Sequence, residues 1–304
     1  MTHQALSGQE AGHAGSSTGV AIVHGGRRVR LKWHRLRRRR RDPLFDAETL
    51  AEGLRLGASM EVDLRVTRDG DFAVLHDGTL DRETDGTGAV AECTGEEIRA
   101  LHYRSAGAPR PVLLASDLAQ ALGPGHPEAL LQLDMKDDVS AVGQTGVERL
   151  ATFFAGCEGK LVVSGDSTEL TLAISERLPG IERGLEPSFR LLDLYRAGRK
   201  SDLAGQLVQE LKGPTRPHIV YLSWELVLPA KADGIDLIGI CHDHGALVDA
   251  WTFNPANPEA GFSDEEWEKF SALLELGADQ ITTDEAIATE RAYRARVQAG
   301  GVNR

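Results

Sequence analysis

Apolar runs of strand length alternate with amphipathic stretches along the chain from about residue 28 onwards. Eight of these runs are predicted strands: Val29–Trp33, Ser59–Val66, Ala129–Met135, Lys160–Ser164, Ile181–Leu185, His218–Ser223, Leu247–Phe253 and Asp279–Thr282. Helices are predicted between most of them, including Asp46–Leu56, Thr145–Ala155, Ser167–Arg177, Leu191–Ala197 and Asp264–Leu276. Eight strands that alternate with helices predict a parallel sheet closed into a (β/α)8 TIM barrel, an α/β fold.

Residues at the ends of the predicted helices support these boundaries. Polar N-caps are expected at Asp46, Ser167 and Asp264, and glycine C-caps at Gly57, Gly156 and Gly277. The competing fold is a doubly wound open sheet, which usually has a glycine-rich phosphate turn after its first strand. The chain has no such turn, so the barrel is the favoured prediction.

The stretch 70–110 interrupts the alternation. It holds a short predicted strand at Phe72–Leu75, a segment rich in Gly, Thr and Asp, and a short helix near Gly95–Leu101. We expect a small insertion between strands 2 and 3, on the catalytic face of the barrel. Residues 1–26 lack periodicity and predict a flexible N-terminal tail, which leaves 27–304 as a single barrel domain.

Composition and charge narrow the function. The net charge is −12, yet the stretch 27–41 carries ten Lys or Arg and no acidic residue, so the rest of the chain stands at −22. Such acidity argues against general nucleic-acid binding. No segment has the length of a membrane span or the pattern of a secretory signal, and the three cysteines form no C-x-x-C motif. We therefore expect a cytoplasmic protein with reduced cysteines.

Two predicted strands carry carboxylates on one face. Strand alternation points Glu61 and Asp63 into the barrel, and it does the same for Asp134 and Lys136 on the next strand. Carboxylates this close repel one another unless a divalent cation with oxygen ligands or a Lys or Arg compensates them. A metal site and a purely structural Asp–Lys pair both remain open from these residues alone.

Two histidines lie at the C-terminal ends of strands. His34 follows the first barrel strand and His76 opens the insertion. A lone histidine is usually structural, but two beside a carboxylate cluster suggest a general acid and a general base, because imidazole titrates near neutral pH. With a metal, an Arg and a Lys, they complete the groups needed to cleave a phosphodiester.

At this point the sequence resembles the glycerophosphodiester phosphodiesterase family, of the PLC-like phosphodiesterase TIM-barrel superfamily. The resemblance rests on motifs in matching order from the first strand to the last: His34-Arg35, Gly57-Ala58-x-x-Glu61-x-Asp63, Thr67-x-Asp69-Gly70, His76-Asp77-x-x-Leu80-x-Arg82-x-Thr84-x-Gly86-x-Gly88, Pro111-x-Leu113, Asp134-x-Lys136, Trp251-Thr252-x-Asn254 and Gly277-Ala278-Asp279-x-Ile281-x-Thr283-Asp284.

The resemblance implies metal-dependent hydrolysis of a small phosphodiester to sn-glycerol 3-phosphate and an alcohol, a reaction of lipid metabolism. It implies that His34 and His76 are the catalytic acid–base pair. It also implies one divalent ion, Mg²⁺ or Ca²⁺, held by Glu61, Asp63 and Asp134. Arg35 and Lys136 would bind the phosphate, and Trp251 would line the pocket near the alcohol.

The chain departs from the family pattern at four places. Leu36 stands for the usual Gly after His-Arg, the usual Glu-Asn-Thr of the first loop is reduced to Glu48-Thr49, Asp134 stands for the usual Glu, and Glu285 stands for the usual Pro. Two alternatives therefore stay open. One is a phospholipase D-like lyase that forms a cyclic phosphate, and the other is a non-catalytic barrel that binds phosphodiesters.

The run Arg37–Arg41 follows the first barrel strand directly. Such runs are commonly solvated, without a role of their own. Its place beside His34 and Arg35 supports a second hypothesis, in which the run gathers a more anionic substrate, such as a phosphoinositol or sugar-phosphate diester.

Overall fold

Eight parallel strands close into a barrel in the computed structural model, which describes residues 17–104, 108–123 and 125–301. The strands in chain order are β1 (Ala21–His24), β2 (Arg27–Trp33), β3 (Ser59–Val66), β4 (Phe72–Val74), β5 (Leu130–Met135), β6 (Leu161–Gly165), β7 (Glu182–Leu185), β8 (Ile219–Ser223), β9 (Leu247–Trp251) and β10 (Gln280–Thr283). The barrel runs β2, β3, β5, β6, β7, β8, β9, β10, and β10 pairs in parallel with β2 to close it. The predicted TIM barrel is confirmed, and each of the eight predicted strands is present within two residues of its predicted ends.

Helices pack around the outside of the barrel. They are α1 (Ala47–Leu56), α2 (Gly95–Arg99), α3 (Ala115–Ala121), α4 (Val139–Phe154), α5 (Thr168–Arg177), α6 (Ser188–Arg196), α7 (Leu203–Leu211), α8 (Trp224–Ala232), α9 (Leu237–Asp243), α10 (Asp264–Leu276) and α11 (Ala286–Gly301). Within the described residues no helix has both the length and the apolar character needed to cross a bilayer.

Side chains on β3 alternate between the helices and the lumen, as predicted. Met60 is fully buried and faces α1, where Gly53 leaves room for its sulfur. A Cβ atom at position 53 would overlap Met60 Sδ, so a glycine is required for this close approach. Glu61 and Asp63 point to the opposite side and line the pocket at the mouth of the barrel. The main apolar core therefore lies between strands and helices, while charged side chains gather at the mouth of the lumen.

Most predicted helix ends are confirmed. The side chain of Asp46 accepts a hydrogen bond from the backbone N–H of Thr49, and Gly277 ends α10 in the left-handed conformation, with φ of 102°. The predicted N-cap Asp264 and the predicted C-cap Gly156 are each wrong by one residue, and Ala155 is the C-cap of α4. Ser263 caps α10 instead, because its hydroxyl and the Glu266 carboxylate form a reciprocal capping box.

The predicted insertion lies between β3 and β5. It contains β4, which pairs antiparallel with β3, and the short helix α2. Leu80, Ile98 and Tyr103 are buried, so the segment folds onto the barrel as a packed layer and holds His76 at its beginning.

The predicted tail over 1–26 extends too far. Residues 21–24 form β1, which pairs antiparallel with the first half of β2. Val20 and Ile22 are buried, and Trp33 Nε1 donates a hydrogen bond to the carbonyl of Gly19. These contacts order the segment from about residue 19, whereas residues 1–16 lie outside the described residues.

Candidate active site

A pocket of about 410 Å³ opens at the C-terminal ends of the barrel strands. Strand alternation brings together there the lumen-facing side chains that end neighbouring strands. All eight side chains that the sequence singles out line this pocket: His34, Arg35, Glu61, Asp63, His76, Asp134, Lys136 and Trp251. Its volume is in the usual range for a small-molecule site, about 300–1,000 Å³.

Three carboxylates form a cluster on β3 and β5. The register pairs Asp63 with Asp134 directly, and Glu61 lies two residues earlier on the same face as Asp63. One oxygen from each of the three lies within 4.8 Å of the others. All three side chains are buried, so water screens their mutual repulsion weakly.

Two cations balance part of this charge. Arg35 Nε lies 3.0 Å from Asp63 Oδ2, and Lys136 Nζ lies 2.9 Å from Asp63 Oδ1. Lys136 also pairs with Asp134, so the Asp–Lys pair left open as a structural alternative exists alongside the carboxylate cluster. Glu61 accepts the backbone N–H of Arg35 at 2.8 Å. Within the described residues, no cationic side chain forms an ion pair with Glu61.

The three carboxyl groups differ in pKa because Asp63 has two cationic partners, whereas Glu61 has none within the described residues. Burial and the neighbouring carboxylates Asp63 and Asp134 raise the pKa of Glu61 to about 8. Burial, together with nearby Glu186, raises the pKa of Asp134 to about 7. Burial also acts to raise the pKa of Asp63, but Lys136 and Arg35 outweigh it and hold that pKa below its usual range. Glu61 therefore lacks a cationic partner among the described residues, and the ion pair of Asp134 with Lys136 does not offset the burial of Asp134.

A hard divalent cation fits this cluster. All three donors are carboxylate oxygens, which Mg²⁺ and Ca²⁺ prefer, and their spacing allows one ion to touch each of them. The buried oxygen Asp63 Oδ2 makes no hydrogen bond of acceptable geometry, so it has a free lone pair. The triad could therefore hold a metal ion, with Lys136 and Arg35 supplying adjacent positive charge.

His34 is oriented by the carboxylate of Asp284, which directly follows the last strand, β10. Its Nδ1 lies 2.8 Å from Asp284 Oδ1, and Arg37 also donates to that oxygen at 2.5 Å. Asn254 Nδ2 donates to the other oxygen at 2.8 Å. Burial acts to raise the pKa of Asp284, but the hydrogen bond from His34 and the charge of Arg37 hold it well below its usual range. Asp284 is therefore ionised and fixes the His34 ring.

The backbone after His34 has an uncommon conformation. Arg35 and Leu36 have φ of 52° and 57°, in the left-handed region that side chains with a Cβ rarely adopt. Leu36 stands where the family pattern has Gly, and its side chain is fully buried. Burial of this side chain offsets the cost of the strained backbone, so the missing Gly does not prevent the turn that places Arg35 in the pocket.

His76 has its own carboxylate partner. Its Nδ1 lies 2.8 Å from Asp77 Oδ1, and Arg82 donates two hydrogen bonds to Asp77. These bonds from Arg82 hold the pKa of Asp77 below its usual range. Glu83 is buried, and its Oε2 accepts the backbone N–H groups of His76 at 3.0 Å and of Asp77 at 2.8 Å.

Both histidines therefore have the same arrangement. A carboxylate at Nδ1 favours the tautomer that carries its proton there, which leaves Nε2 free to accept or donate a proton. The side chains of His34 and His76 are 24% and 38% exposed, so both rings reach the pocket. Together they can act as an acid–base pair on a ligand held between them.

The sequence prediction gives no role to several residues of the site, although Asp284 stands in the last of the family motifs. The position of Asp284 after the last strand was a usable signal, since catalytic groups of barrels follow strand ends. Glu186 has the same signal after β7, where Ser164 Oγ donates to it at 2.7 Å. The buried ion pair of Lys32 with Asp249, at 2.8 Å, joins β2 to β9 and gives no local signal.

The arginine run lies outside this pocket. Arg37 pairs with Asp284 and Arg38 pairs with Glu52. The last three arginines line a separate groove of about 360 Å³: Arg39, Arg40 and Arg41, together with Pro258, Glu259 and Glu285. Two of the five arginines thus have structural partners, and the hypothesis that the run gathers an anionic substrate stays a prediction.

Curated relatives match short segments of this chain. Glycerophosphodiester phosphodiesterase 1 of Bos taurus is 49% identical over 45 residues, 15% of this chain and 14% of that protein. Glycerophosphodiester phosphodiesterase of Caldanaerobacter subterraneus is 47% identical over 49 residues, 16% of this chain and 20% of that protein. The matched segments thus cover at most a fifth of these two relatives.

Solved structures match over most of the chain and share its fold. Glycerophosphodiester phosphodiesterase from Agrobacterium tumefaciens has a TM-score of 0.60 and 18% identity, over 86% of this chain and 100% of that chain. A glycerophosphoryl diester phosphodiesterase from Parabacteroides distasonis has a TM-score of 0.60 and 19% identity, over 90% and 88%. An Oleispira antarctica phosphodiesterase, solved with the product sn-glycerol-3-phosphate, has a TM-score of 0.55 and 17% identity, over 87% and 96%.

The family itself is shown by a longer match. Residues 47–288 match the sequence profile of the glycerophosphoryl diester phosphodiesterase family. This range spans most of the barrel, from α1 to the start of α11, and includes the carboxylate triad, His76 and Asp284. The chain belongs to the glycerophosphoryl diester phosphodiesterase family.

Proposed function

We propose that this protein hydrolyses a glycerophosphodiester to sn-glycerol 3-phosphate and an alcohol. The observation that carries the proposal is the pair of histidines, each with Nδ1 held by a carboxylate, in one pocket with the carboxylate triad. Family membership supports it, as does the related Oleispira antarctica structure, which was solved with sn-glycerol-3-phosphate. We propose 27–304 as the catalytic domain and the cytoplasm as its location.

The residues divide the chemistry between them. Arg35 and Lys136 bind the phosphate oxygens, because both are cations in the pocket and each already touches the triad. One of the histidines His34 and His76 takes a proton from the attacking water, and the other protonates the oxygen of the leaving alcohol. The carboxylate at each Nδ1 stabilises the imidazolium that forms, as in other carboxylate–histidine pairs.

Glu61, Asp63 and Asp134 would hold one Mg²⁺ or Ca²⁺. Such an ion would supply Lewis-acid stabilisation of the charge that develops on the phosphate. The chain itself orients the ligands: β3 and β5 fix the three carboxylates, and Lys136 and Arg35 hold Asp63 in place. Trp251 ends β9 and lines the same pocket, where we place the alcohol part of the substrate.

The test is product analysis. Purified protein is incubated with a panel of glycerophosphodiesters and Mg²⁺, Ca²⁺ or Mn²⁺, and the products are followed by ³¹P NMR. We expect sn-glycerol 3-phosphate in wild type, and loss of its formation in the His34→Asn and His76→Asn variants. A cyclic phosphate would establish the lyase alternative. No turnover of these diesters or of bis(p-nitrophenyl) phosphate with any metal would establish a binding protein.

A further inference from the structure

The carboxylate that orients His34 is shared with the first residue of the arginine run. Asp284 Oδ1 accepts a hydrogen bond from Arg37 Nη2 at 2.5 Å and lies 2.8 Å from His34 Nδ1. Only 15% of the Arg37 side chain and 10% of the Asp284 side chain are exposed. Neither residue lines the pocket, so Arg37 does not meet a ligand there. Its contact with the site is therefore the carboxylate behind His34.

Hydrogen bonds hold the loop of Arg37 against the last strand connection. A tight turn follows the first barrel strand, in which the N–H of Arg37 donates to the carbonyl of His34 at 3.1 Å. Further along the loop, the N–H of Arg40 donates to Glu285 Oε1 at 2.9 Å. Glu285 directly follows Asp284 and stands where the family pattern has Pro, which has no side-chain acceptor. The loop is thus tied to the connection that carries Asp284.

The second histidine has the same three-part arrangement. His76 Nδ1 contacts Asp77, and Arg82 donates to both oxygens of that carboxylate. Arg82 belongs to the family motif that begins at His76, whereas Arg37 lies in a stretch that departs from the family pattern. Two arginines from separate parts of the chain thus hold equivalent carboxylates. This repetition indicates that the arginine behind each carboxylate serves the histidine.

The other arginines of the run lack this connection. Arg38 pairs with Glu52 on α1 at 2.7 Å. The side chains of Arg39, Arg40 and Arg41 line the separate groove and make no hydrogen bond or ion pair with any residue that the structure describes. Within the described ranges, Arg37 alone of the five contacts the partner of a proposed catalytic histidine. Arg41 is exposed and carries the same charge, so it is a matched control for Arg37.

We propose that Arg37 is a positioning residue of the active site, which holds the carboxylate of Asp284 so that His34 keeps its orientation towards the substrate. This inference rests on the proposed hydrolase function. A carboxylate in a charge-assisted hydrogen bond has little freedom to turn, and an imidazole ring whose Nδ1 partner is fixed keeps its Nε2 in one place. The first arginine of the run thus has a different role from the gathering of an anionic substrate.

Matched substitutions separate this role from the charge of the run. Arg37→Met should lower kcat for a glycerophosphodiester by about ten- to a hundredfold, because a displaced catalytic group slows a reaction by such factors. KM should change by less than about threefold, since Arg37 does not line the pocket. Arg41→Met makes the same change of charge and should leave both constants as in wild type. Equal losses in the two variants, or a rise in KM alone for Arg37→Met, would overturn the proposal.

Arg37→Lys is the conservative variant. It keeps a positive charge for Asp284 but lacks the planar guanidinium, so its kcat should lie between those of wild type and Arg37→Met. Circular dichroism shows whether each variant is folded. If Arg37→Met is not folded, Arg37→Lys alone carries the test, and a kcat equal to that of wild type would then contradict the proposal.

A double-mutant cycle shows whether Arg37 acts through Asp284. In the Asp284→Asn background, Arg37→Met should cause no further loss of kcat, because the carboxylate that Arg37 holds is already gone. If Arg37→Met lowers kcat by the same factor in both backgrounds, Arg37 acts independently of Asp284 and the proposal fails.

Proton exchange at His34 is a readout that needs no turnover. In ¹H–¹⁵N NMR spectra the Nδ1–H signal of His34 is assigned by its absence in His34→Asn. This proton should exchange with water at least about tenfold faster in Arg37→Met than in wild type or Arg41→Met, because its acceptor is no longer held. Faster exchange supports the positioning role even if no diester is hydrolysed, in which case the proposed function alone fails. An unchanged rate contradicts the positioning role whether or not the protein is a hydrolase.

Discussion

The substitution Glu61→Gln should stabilise the metal-free protein. Glu61 is 4% exposed, forms no ion pair within the described residues and has a pKa raised to about 8 from a usual value of 4.5. A carboxyl group whose pKa is raised on folding weakens the native state once the pH exceeds the unfolded pKa, and this loss is complete above the folded pKa. Gln keeps the shape and the oxygen that accepts the Arg35 N–H, but it has no proton to lose.

The size of the effect follows from the pKa shift. Each unit of pKa corresponds to about 1.4 kcal/mol. Ionisation of Glu61 should therefore lower the free energy of unfolding by about 3 kcal/mol at pH 7 and by about 5 kcal/mol above pH 8. Near pH 4.5 the wild type and Glu61→Gln should have similar stability. The advantage of Glu61→Gln should grow as the pH rises from 5 to 8.

Chemical denaturation in EDTA and in Mg²⁺ compares the stability of wild type and Glu61→Gln without and with a metal ion. In EDTA at pH 8, Glu61→Gln should need more denaturant than wild type, and in saturating Mg²⁺ the wild type should recover, because a bound ion stabilises by mass action. A Glu61→Gln protein less stable than wild type in EDTA at pH 8 would refute the reasoning.

The matched control is Asp249→Asn in the same lumen. Asp249 is fully buried but pairs with Lys32 at 2.8 Å, so its replacement by Asn leaves a buried cation without its ion-pair partner. It should destabilise the protein by about 3–5 kcal/mol, with or without metal. The two amide substitutions therefore have opposite signs.

Three further substitutions test how the site is held. Asp284→Asn should lower kcat by about two to four orders of magnitude with a smaller change in KM, because the His34 ring loses its carboxylate. Steady-state kinetics below the melting temperature of the variant, with circular dichroism to show that it is folded, would check it, since Arg37 also loses its ion pair. Glu83→Ala should lower kcat by at least about tenfold, because the backbone N–H groups of His76 and Asp77 lose their buried acceptor. An equal kcat in wild type and Glu83→Ala would contradict this role. Gly165→Ala should lower the free energy of unfolding by at least about 2 kcal/mol in denaturant titrations, since φ is 146° there and a Cβ atom would meet the carbonyl of the adjacent strand.

The fold and the centre of the site were predictable because both follow from local patterns. Alternation along β3 alone places Glu61 and Asp63 in the lumen, and the same period on β5 adds Asp134 and Lys136. These positions depend only on which residues are neighbours within a strand. The prediction of a barrel needed one further assumption, that the strands close in chain order.

The supporting residues depend on closure and were missed for that reason. Asp284 meets His34 only because β10 pairs with β2, and Lys32 meets Asp249 only because β9 lies beside β10. The place of Asp284 after the last strand marks it as a candidate, but no spacing in the sequence reveals that its partner is His34 or that Lys32 pairs with Asp249. The N-terminal strand β1 was missed because it has only four residues and follows a Gly-rich segment. Contacts with β2, which lies beyond a turn, and with α11, which lies far away in the sequence, hold this segment in place.

The pairing of β2 with β10 also sets the order in which a growing chain can acquire its parts. Glu61, Asp63 and Asp134 lie on β3 and β5, in the first half of the chain, whereas Asp284 comes 250 residues after His34. A chain that lacks β10 has all three triad carboxylates but cannot give His34 its carboxylate partner. In the proposed enzyme, hydrolysis would therefore report that the last strand is in place.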